Sequence, residues 1–184
     1  LSGASGETVT EGLDGLRDRL IEYREIGAKF TKWRGMIAIG DSMPSQYCLN
    51  VNAHALARYA ALSQEAGLVP IVEPEVLMDG SHDINRCFDV TEATLTAVFK
   101  ELRDQHVMLE GILLKPNMVI SGKDSLNRAN AKEVADATIR CFQSCVPESV
   151  PGIVFLSGGQ TDEEATVNLD AINRRTPEFA WEMS

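Results

Sequence analysis

Four short apolar runs, each suited to a buried β-strand, recur along this chain with helical stretches between them. The runs are 33–39, 68–72, 109–115 and 152–157, and a fifth is predicted at 179–184. Strands that are apolar throughout are buried on both faces, as in parallel sheets covered by helices. Parallel neighbours require crossover connections, which are right-handed and usually helical. The alternation therefore predicts an α/β fold.

The stretches between these runs carry apolar residues at helical spacing. Thr161 and Glu164 have the spacing of a capping box, which predicts a last helix from there to about Asn173. Gly27 and Gly67 stand where the first two helices would end. The four apolar stripes are Leu13, Leu16, Leu20 and Tyr23; Leu49, Ala53, Leu56 and Ala60; Leu95, Val98, Phe99 and Leu102; Val134, Thr138, Cys141 and Cys145.

Length and composition limit the choice of architecture. No linker or low-complexity stretch divides the sequence, so we interpret residues 1–184 as a single domain. An eight-stranded barrel usually needs about 250 residues, so five strands in this length fit part of a barrel better than a whole one. An open, five-stranded doubly wound sheet is the alternative that the pattern leaves open.

The charge balance and the metal-binding residue types exclude several functions. There are 27 acidic residues against 17 lysines and arginines, a formal charge of -10, with no basic tract. This disfavours nucleic-acid or anionic-membrane binding as a main role, and no apolar run approaches the ~20 residues of a membrane span. Three histidines and four cysteines lack metal-site spacing, and the cysteines indicate a reduced, cytosolic protein.

Four side chains that can carry chemistry lie on or at the ends of the apolar runs in a regular register. Lys32, Glu73, Lys115 and Ser157 are separated by 41, 42 and 42 residues. In a parallel barrel the carboxyl ends of the strands form one rim, where active sites are built. We therefore expect these four side chains to converge on one pocket.

Lys115 ends its apolar run and precedes Pro116, which favours an extended backbone at the lysine. Burial and a nearby cation such as Lys32 favour the neutral amine, which is the form that attacks carbonyl groups. Most lysines keep their charge in solvent, so the position alone predicts little. The shared register with Lys32 and Glu73 predicts a covalent, imine-forming lysine.

Glu73 and Glu75 flank Pro74 at the end of an apolar run. Desolvation and mutual repulsion can prepare one of two such carboxylates for proton transfer. Taken alone, the pair is explained equally well by an acidic turn.

Positive charge and a glycine-rich turn suit an anionic substrate. Lys32 and Arg34 share one strand face, although a basic strand start around a packed tryptophan explains them equally well. Ser157, Gly158 and Gly159 place a hydroxyl and unhindered amides between a strand and a helix, a general way to hold phosphate. A Gly-Gly pair also occurs in ordinary turns.

Taken together, these segments resemble class I fructose-bisphosphate aldolase. The likeness covers essentially all 184 residues. It implies a (β/α)8 barrel, of which this chain covers roughly the fourth to the start of the eighth strand. The segments that carry it are Lys32-Trp33-Arg34, Ile71-Val72-Glu73-Pro74-Glu75, Leu113-Leu114-Lys115-Pro116-Asn117-Met118 and Leu156-Ser157-Gly158-Gly159-Gln160.

The resemblance also implies an activity. Members of the family cleave fructose 1,6-bisphosphate to dihydroxyacetone phosphate and glyceraldehyde 3-phosphate without a metal or an organic cofactor. They are usually homotetramers of the cytosol or the plastid. The implied substrate is thus a small sugar phosphate, with no nucleic acid or membrane as a partner.

By position, the resemblance implies that Lys115 is the Schiff-base lysine and Glu73 the principal acid and base of imine formation. Lys32 would bind substrate and help to keep Lys115 deprotonated, and Glu75 would assist proton transfer. Arg34 would lie near substrate phosphate or hydroxyl groups.

The turn of Ser157, Gly158 and Gly159 would hold the phosphate at the dihydroxyacetone end. Further family residues, an aspartate and a lysine on earlier strands and a later arginine and tyrosine, would lie outside these 184 residues. We therefore expect this stretch by itself to be inactive.

Two alternatives stay open. A strand-end lysine with a glycine-rich phosphate site also suits a pyridoxal-phosphate enzyme on a barrel. A non-enzymatic alternative, which we weigh less, is a barrel fragment that serves as an interaction module.

Overall fold

Helices and strands alternate along the chain, as the sequence predicts. The computed structural model describes residues 1–176 and the backbone of Glu182–Met183. The elements are α1 (Leu16–Glu25), β1 (Phe30–Ile37), α2 (Gln46–Glu65), β2 (Val69–Val76), α3 (Ile84–Asp104), β3 (Leu113–Leu114), α4 (Ala131–Cys145), β4 (Val154–Phe155), α5 (Asp162–Asn173) and β5 (Glu182–Met183). The predicted fifth strand therefore lies largely outside the described residues, and β5 is the part of it that they include.

All strand pairs within the described residues are parallel, which confirms the α/β prediction. β1, β2 and β3 form one sheet in that order, and β4 pairs with β5. A parallel bridge between Leu114 and Ile153 links the two sheets. Over the part of the chain that the structure describes, these strands do not close into a barrel.

The strand order argues against the doubly wound alternative. A doubly wound sheet reverses its strand order at a switch point and carries helices on both faces. Here neighbouring strands follow the order of the chain, and consecutive helices from α1 to α5 pack against each other in the same order. The helices thus form one layer on one face of the curved wall of strands.

The hydrophobic core lies between this helix layer and the strands. Its largest members are fully buried, and burying each such side chain contributes roughly 1.5–3 kcal/mol. They include Leu56 and Tyr59 from α2, Phe99 and Leu102 from α3, Leu114 from β3 and Phe155 from β4. Within residues 1–176 and 182–183, no helix is long and apolar enough to cross a membrane.

The predicted strand 109–115 is wrong over its first half. Leu109–Gly111 forms a 3-10 turn, and only Leu113–Leu114 joins the sheet. Gln64 of α2 explains the turn: its amide donates to the Met108 carbonyl at 2.8 Å and accepts from the Met108 amide at 3.0 Å. A side chain thus satisfies backbone groups that a strand would have paired with a neighbour.

The first two strands differ from the predicted runs at their ends. β1 begins three residues before the predicted start at 33 and so includes Lys32. β2 continues four residues beyond the predicted end at 72, through Pro74 to Val76. The strand passes Pro74 because β2 pairs with β1 over its whole length, from Phe30 opposite Val69 to Ile37 opposite Val76.

The capping box at the start of α5 is confirmed. The Thr161 hydroxyl accepts from the Glu164 amide at 3.2 Å, and the Glu164 carboxylate accepts from the Thr161 amide at 3.0 Å. These two bonds fix where the chain leaves the turn of Ser157–Gly159 and enters the helix.

We expect Thr161→Ala to lower the free energy of unfolding of the full-length protein by about 1 kcal/mol, because an amide at the helix start loses its acceptor. Urea denaturation followed by circular dichroism measures this loss. Thr96→Ala, at an exposed position inside α3, is the matched control and should leave stability unchanged or slightly higher. Equal effects of the two substitutions would contradict the capping role.

Candidate active site

β1 carries its basic and aromatic residues on opposite faces. Trp33 turns toward the helix layer and stacks on Tyr59 of α2, with ring centroids 5.4 Å apart. Side chains alternate along a strand, so Lys32 and Arg34 extend from the other face. Both are 45% exposed in their side chains, and each contacts a carboxylate of β2. The predicted shared face of Lys32 and Arg34 is confirmed.

The Glu73 carboxylate lies between two lysines. Its Oε2 atom accepts from Lys32 Nζ at 2.6 Å, and its Oε1 atom is 3.9 Å from Lys115 Nζ. The Glu73 side chain is only 5% exposed. A buried carboxylate is costly unless it is paired, and here it is in contact with basic groups of both neighbouring strands.

Lys115 is held at the end of β3 with its side chain 15% exposed. Its backbone amide donates to the Val72 carbonyl at 2.8 Å, which anchors it beside β2. The following Pro116 has no amide hydrogen, and its carbonyl accepts from Leu156 at 3.1 Å, beside β4. The amine is therefore partly sheltered and within reach of the Glu73 carboxylate.

Glu75 forms a second ion pair on the same face. Its Oε2 atom accepts a hydrogen bond from Arg34 Nε, and this bond raises the pKa of Arg34. The sequence suggested that Glu73 and Glu75 would act on each other as repelling neighbours. Instead each carboxylate has its own cation on β1, so the pair is electrostatically balanced.

The turn of Ser157, Gly158 and Gly159 lies farther along the strand direction than Lys115. Leu114 is opposite Ile153, so Lys115 is level with Val154, and the turn begins about three residues beyond that point. Ser157 is exposed, and the two glycines have φ angles of 62° and 90°. A left-handed backbone at two consecutive residues needs glycine.

The turn packs against residues that follow β2 and β3. A Cβ atom added to Gly159 would be 3.3 Å from the Met78 sulfur, and the Gln160 amide contacts the Met118 sulfur at 3.8 Å. Within residues 1–176, no hydrogen bond or ion pair joins the turn to Lys115 or Glu73.

Of the four residues in the predicted register, the structure brings three into direct proximity. Lys32, Glu73 and Lys115 form one chain of charges across β1, β2 and β3. Ser157 lies at the same end of the strands but contacts none of these three side chains. Equal spacing in sequence therefore predicted that the four residues lie at the same end of the strands. It did not predict how far Ser157 lies from Lys115 along the strand direction.

Asn117 has no predicted role, although in the structure it is a buried link between β2, the segment after β3 and α3. The sequence signal for it was Pro74, which cannot donate to a neighbouring strand and so interrupts the backbone ladder two residues before Val76, the partner of Asn117. Among the described residues, no three histidine, cysteine, aspartate or glutamate side chains converge to hold a metal ion.

Curated relatives extend the comparison beyond geometry. The chain is 57% identical over 184 residues to a probable class 1 fructose-bisphosphate aldolase of Xylella fastidiosa and covers 55% of that protein. It is 54% identical over 184 residues to the cytosolic fructose-bisphosphate aldolase 4 of Arabidopsis thaliana and covers 47% of it. The chain thus spans about half the length of the curated relatives it matches.

A solved structure shows the same backbone. The fructose-bisphosphate aldolase of Plasmodium falciparum, crystallised with TRAP and a small-molecule inhibitor, superimposes with a TM-score of 0.94 at 43% identity. The match covers 99% of this chain and 55% of the other. The model of the family described as "Fructose-bisphosphate aldolase class-I" matches residues 1–184. The chain therefore belongs to the class I fructose-bisphosphate aldolase family.

Proposed function

We propose that the full-length protein reversibly cleaves fructose 1,6-bisphosphate into dihydroxyacetone phosphate and glyceraldehyde 3-phosphate through an imine on Lys115. The observation that carries this proposal is the Glu73 carboxylate, which lies between Lys32 and the sheltered amine of Lys115. Family membership favours this reaction over pyridoxal-phosphate chemistry. It also favours an enzyme over an interaction module.

Imine formation needs a neutral amine and a group that moves protons beside it. The Lys115 nitrogen attacks the C2 carbonyl carbon of the ketose, and a proton from solvent converts the carbonyl oxygen to a hydroxyl. Glu73 then takes a proton from the nitrogen and passes it to this hydroxyl, which leaves as water and leaves an iminium. The 3.9 Å between Glu73 Oε1 and Lys115 Nζ suits this exchange, because a proton can pass between the two groups through one water or after a small side-chain movement.

Carbon-carbon cleavage uses the iminium nitrogen as an electron sink. Loss of the C4 hydroxyl proton makes the C4 carbonyl of glyceraldehyde 3-phosphate, and the C3–C4 bond electrons move toward nitrogen to leave an enamine. Protonation at C3 and hydrolysis by water then release dihydroxyacetone phosphate and restore Lys115. No metal or organic cofactor is required by this scheme, because the imine itself accepts the electrons.

The remaining side chains provide binding and charge balance. Lys32 lies across Glu73 from Lys115, so its cation offsets the carboxylate, and its half-exposed amine would bind substrate hydroxyl groups. Arg34 stays charged beside Glu75 and can reach a phosphate or hydroxyl group. Glu75 would assist proton transfer from the same strand face as Glu73.

The turn of Ser157, Gly158 and Gly159 would bind the phosphate on C1. Successive amides in a turn with left-handed residues can form an anion-binding concavity, and the exposed Ser157 hydroxyl adds a donor. The first turn of α5 is a poor phosphate site, because Thr161 already caps its Glu164 amide and its first residues are acidic. The peptide amides of the turn are therefore the proposed phosphate ligands.

We further propose that residues 1–184 are part of one (β/α)8 barrel domain and that the full-length protein is a cytosolic or plastidic homotetramer. The parallel, sequential strands support the barrel. The cytosolic aldolase of Arabidopsis and the cytoplasmic isozyme 2 of Pisum sativum, 54% and 53% identical, support the cytosol. Since the chain covers about half of such relatives, we expect it to be inactive alone.

The first test traps the proposed imine. The full-length protein is treated with borohydride and dihydroxyacetone phosphate, and its peptides are mapped by mass. We expect one stable adduct, on Lys115, and none in Lys115→Met. Lys123→Met is the matched control, because Lys123 is exposed and pairs with Asp79 outside the site. An adduct on another lysine, or none, would refute the mechanism.

The second test concerns proton transfer by Glu73. We expect Glu73→Gln to lower kcat for fructose 1,6-bisphosphate about 10²- to 10⁴-fold, because the amide cannot exchange protons with the nitrogen and the leaving hydroxyl. Glu110→Gln, at an exposed position, should retain wild-type kcat. Circular dichroism checks that both variants fold. A Glu73→Gln enzyme within threefold of wild type would show that another group moves the proton.

The third test separates phosphate binding from imine chemistry. We expect Gly159→Ala to raise the KM for fructose 1,6-bisphosphate at least tenfold, because a left-handed alanine is strained and its Cβ crowds Met78. Imine trapping with dihydroxyacetone, which lacks phosphate, should keep its wild-type rate. Gly27→Ala is the matched control, since Gly27 has a φ of 102° and open space around it. A KM unchanged by Gly159→Ala would exclude the turn as the phosphate site.

A further inference from the structure

The β2–β3 ladder has an unusual gap beside the active-site lysine. The Lys115 amide donates to the Val72 carbonyl, so Val72 directs its polar backbone groups toward β3. Alternation then turns Pro74 and Val76 to the same side, whereas the amide of Leu77 faces β1 and donates to Ile37. Pro74 has no amide hydrogen and cannot donate to β3. The ladder therefore lacks a backbone donor just past Lys115.

The side chain of Asn117 makes the hydrogen bond to β2 beyond the point where the backbone ladder ends. Its Oδ1 atom accepts from the Val76 amide at 2.9 Å, and its Nδ2 atom donates to the Met118 carbonyl at 3.0 Å. The same Nδ2 donates to the Thr91 hydroxyl of α3 at 3.1 Å. Asn117 is 3% exposed and Thr91 is 1% exposed. One amide thus joins the end of β2, the segment after β3 and a helix.

The orientation of this amide follows from its partners. A backbone N–H can only donate, so the oxygen must face Val76, and a backbone carbonyl can only accept, so the nitrogen must face Met118. In this orientation the Thr91 hydroxyl accepts from the nitrogen and anchors the side chain to α3. Asn117 is therefore held in one arrangement by the Val76 amide and the Met118 carbonyl, both of which would lose a partner if the amide turned.

The two links bracket the catalytic carboxylate. The Lys115–Val72 bond holds β2 one residue before Glu73, and the Asn117–Val76 bond holds it three residues after Glu73. Both glutamates of the site, Glu73 and Glu75, lie between these points. Their position relative to β3 is thus fixed at both ends, on the strand segment whose Glu73 carboxylate is 3.9 Å from the Lys115 amine.

We propose that Asn117, supported by Thr91, is a positioning residue for the imine step, and that it sets the separation of Glu73 and Lys115 by locking the end of β2 to β3. This inference rests on the function proposed above, because it needs an imine on Lys115. Asn117 touches neither reacting atom. It acts through the backbone that carries them, where a displacement of about 1 Å can cost about 10² in rate.

The test uses the full-length protein and a conservative pair at Thr91. Thr91→Val has nearly the same shape but removes the hydroxyl that accepts from Asn117, whereas Thr91→Ser keeps it. We expect Thr91→Val to slow borohydride-trapped imine formation with dihydroxyacetone phosphate about tenfold and Thr91→Ser to stay within twofold of wild type. Asn117→Leu, which also leaves the Val76 amide unpaired, should slow trapping about 100-fold if it folds.

A matched control separates positioning from stability. Thr138→Val removes a different buried hydroxyl, which accepts from the Val119 amide at 2.9 Å in the next part of the same segment. We expect Thr138→Val to lower urea stability as much as Thr91→Val but to keep the wild-type trapping rate. For Thr91→Val we expect kcat to fall and KM to change less than threefold, because the turn of Ser157–Gly159 is untouched.

The outcomes distinguish the two proposals. If the wild-type protein traps no adduct on Lys115, the proposed function fails. If the wild type traps Lys115 and Thr91→Val traps it at the wild-type rate, only the positioning inference fails. Equal slowing by Thr138→Val and Thr91→Val would also overturn it, because the effect would then follow stability and not the link between β2 and β3.

Discussion

The rest of the structure depends on the ion pairs that the buried Glu73 carboxylate makes with Lys32 and Lys115. An unpaired buried carboxylate costs several kcal/mol, so both basic groups must be held close to it. Each comes from a different neighbouring strand, and parallel pairing in one register brings all three to the same end of the sheet. The stability of the Lys32–Glu73–Lys115 cluster and its proposed chemistry therefore require the same strand order.

The two faces of the strands divide the work between stability and chemistry. Trp33 turns toward the helix layer and stacks on Tyr59 of α2, while its neighbours Lys32 and Arg34 extend from the opposite face to the carboxylates of β2. The apolar contacts with the helix layer contribute the free energy that offsets the cost of burying charge. Period-two alternation along one short strand thus serves both needs.

Patterns local in sequence predicted the fold well, and failures came where distant side chains act. The capping box at Thr161 and the helical stripes concern residues within one or two turns of each other, so they could be recognised directly. The strand predicted from 109 failed because Gln64, 44 residues earlier, satisfies the backbone at Met108. The link made by Asn117 was missed for the same reason, since its partner Val76 is 41 residues away.

The sequence by itself determined the α/β alternation, the parallel strands and the lysine and glutamate that meet at one sheet edge, because strand period and crossover length are local properties of the chain. Only the tertiary structure decided which charges pair. It gave each glutamate its own cation, put the turn of Ser157–Gly159 farther along the strand direction than Lys115, and made Asn117 the link across the broken ladder. Hydrogen bonds and ion pairs are decided by ångström distances between strands, and residue spacing does not encode those distances.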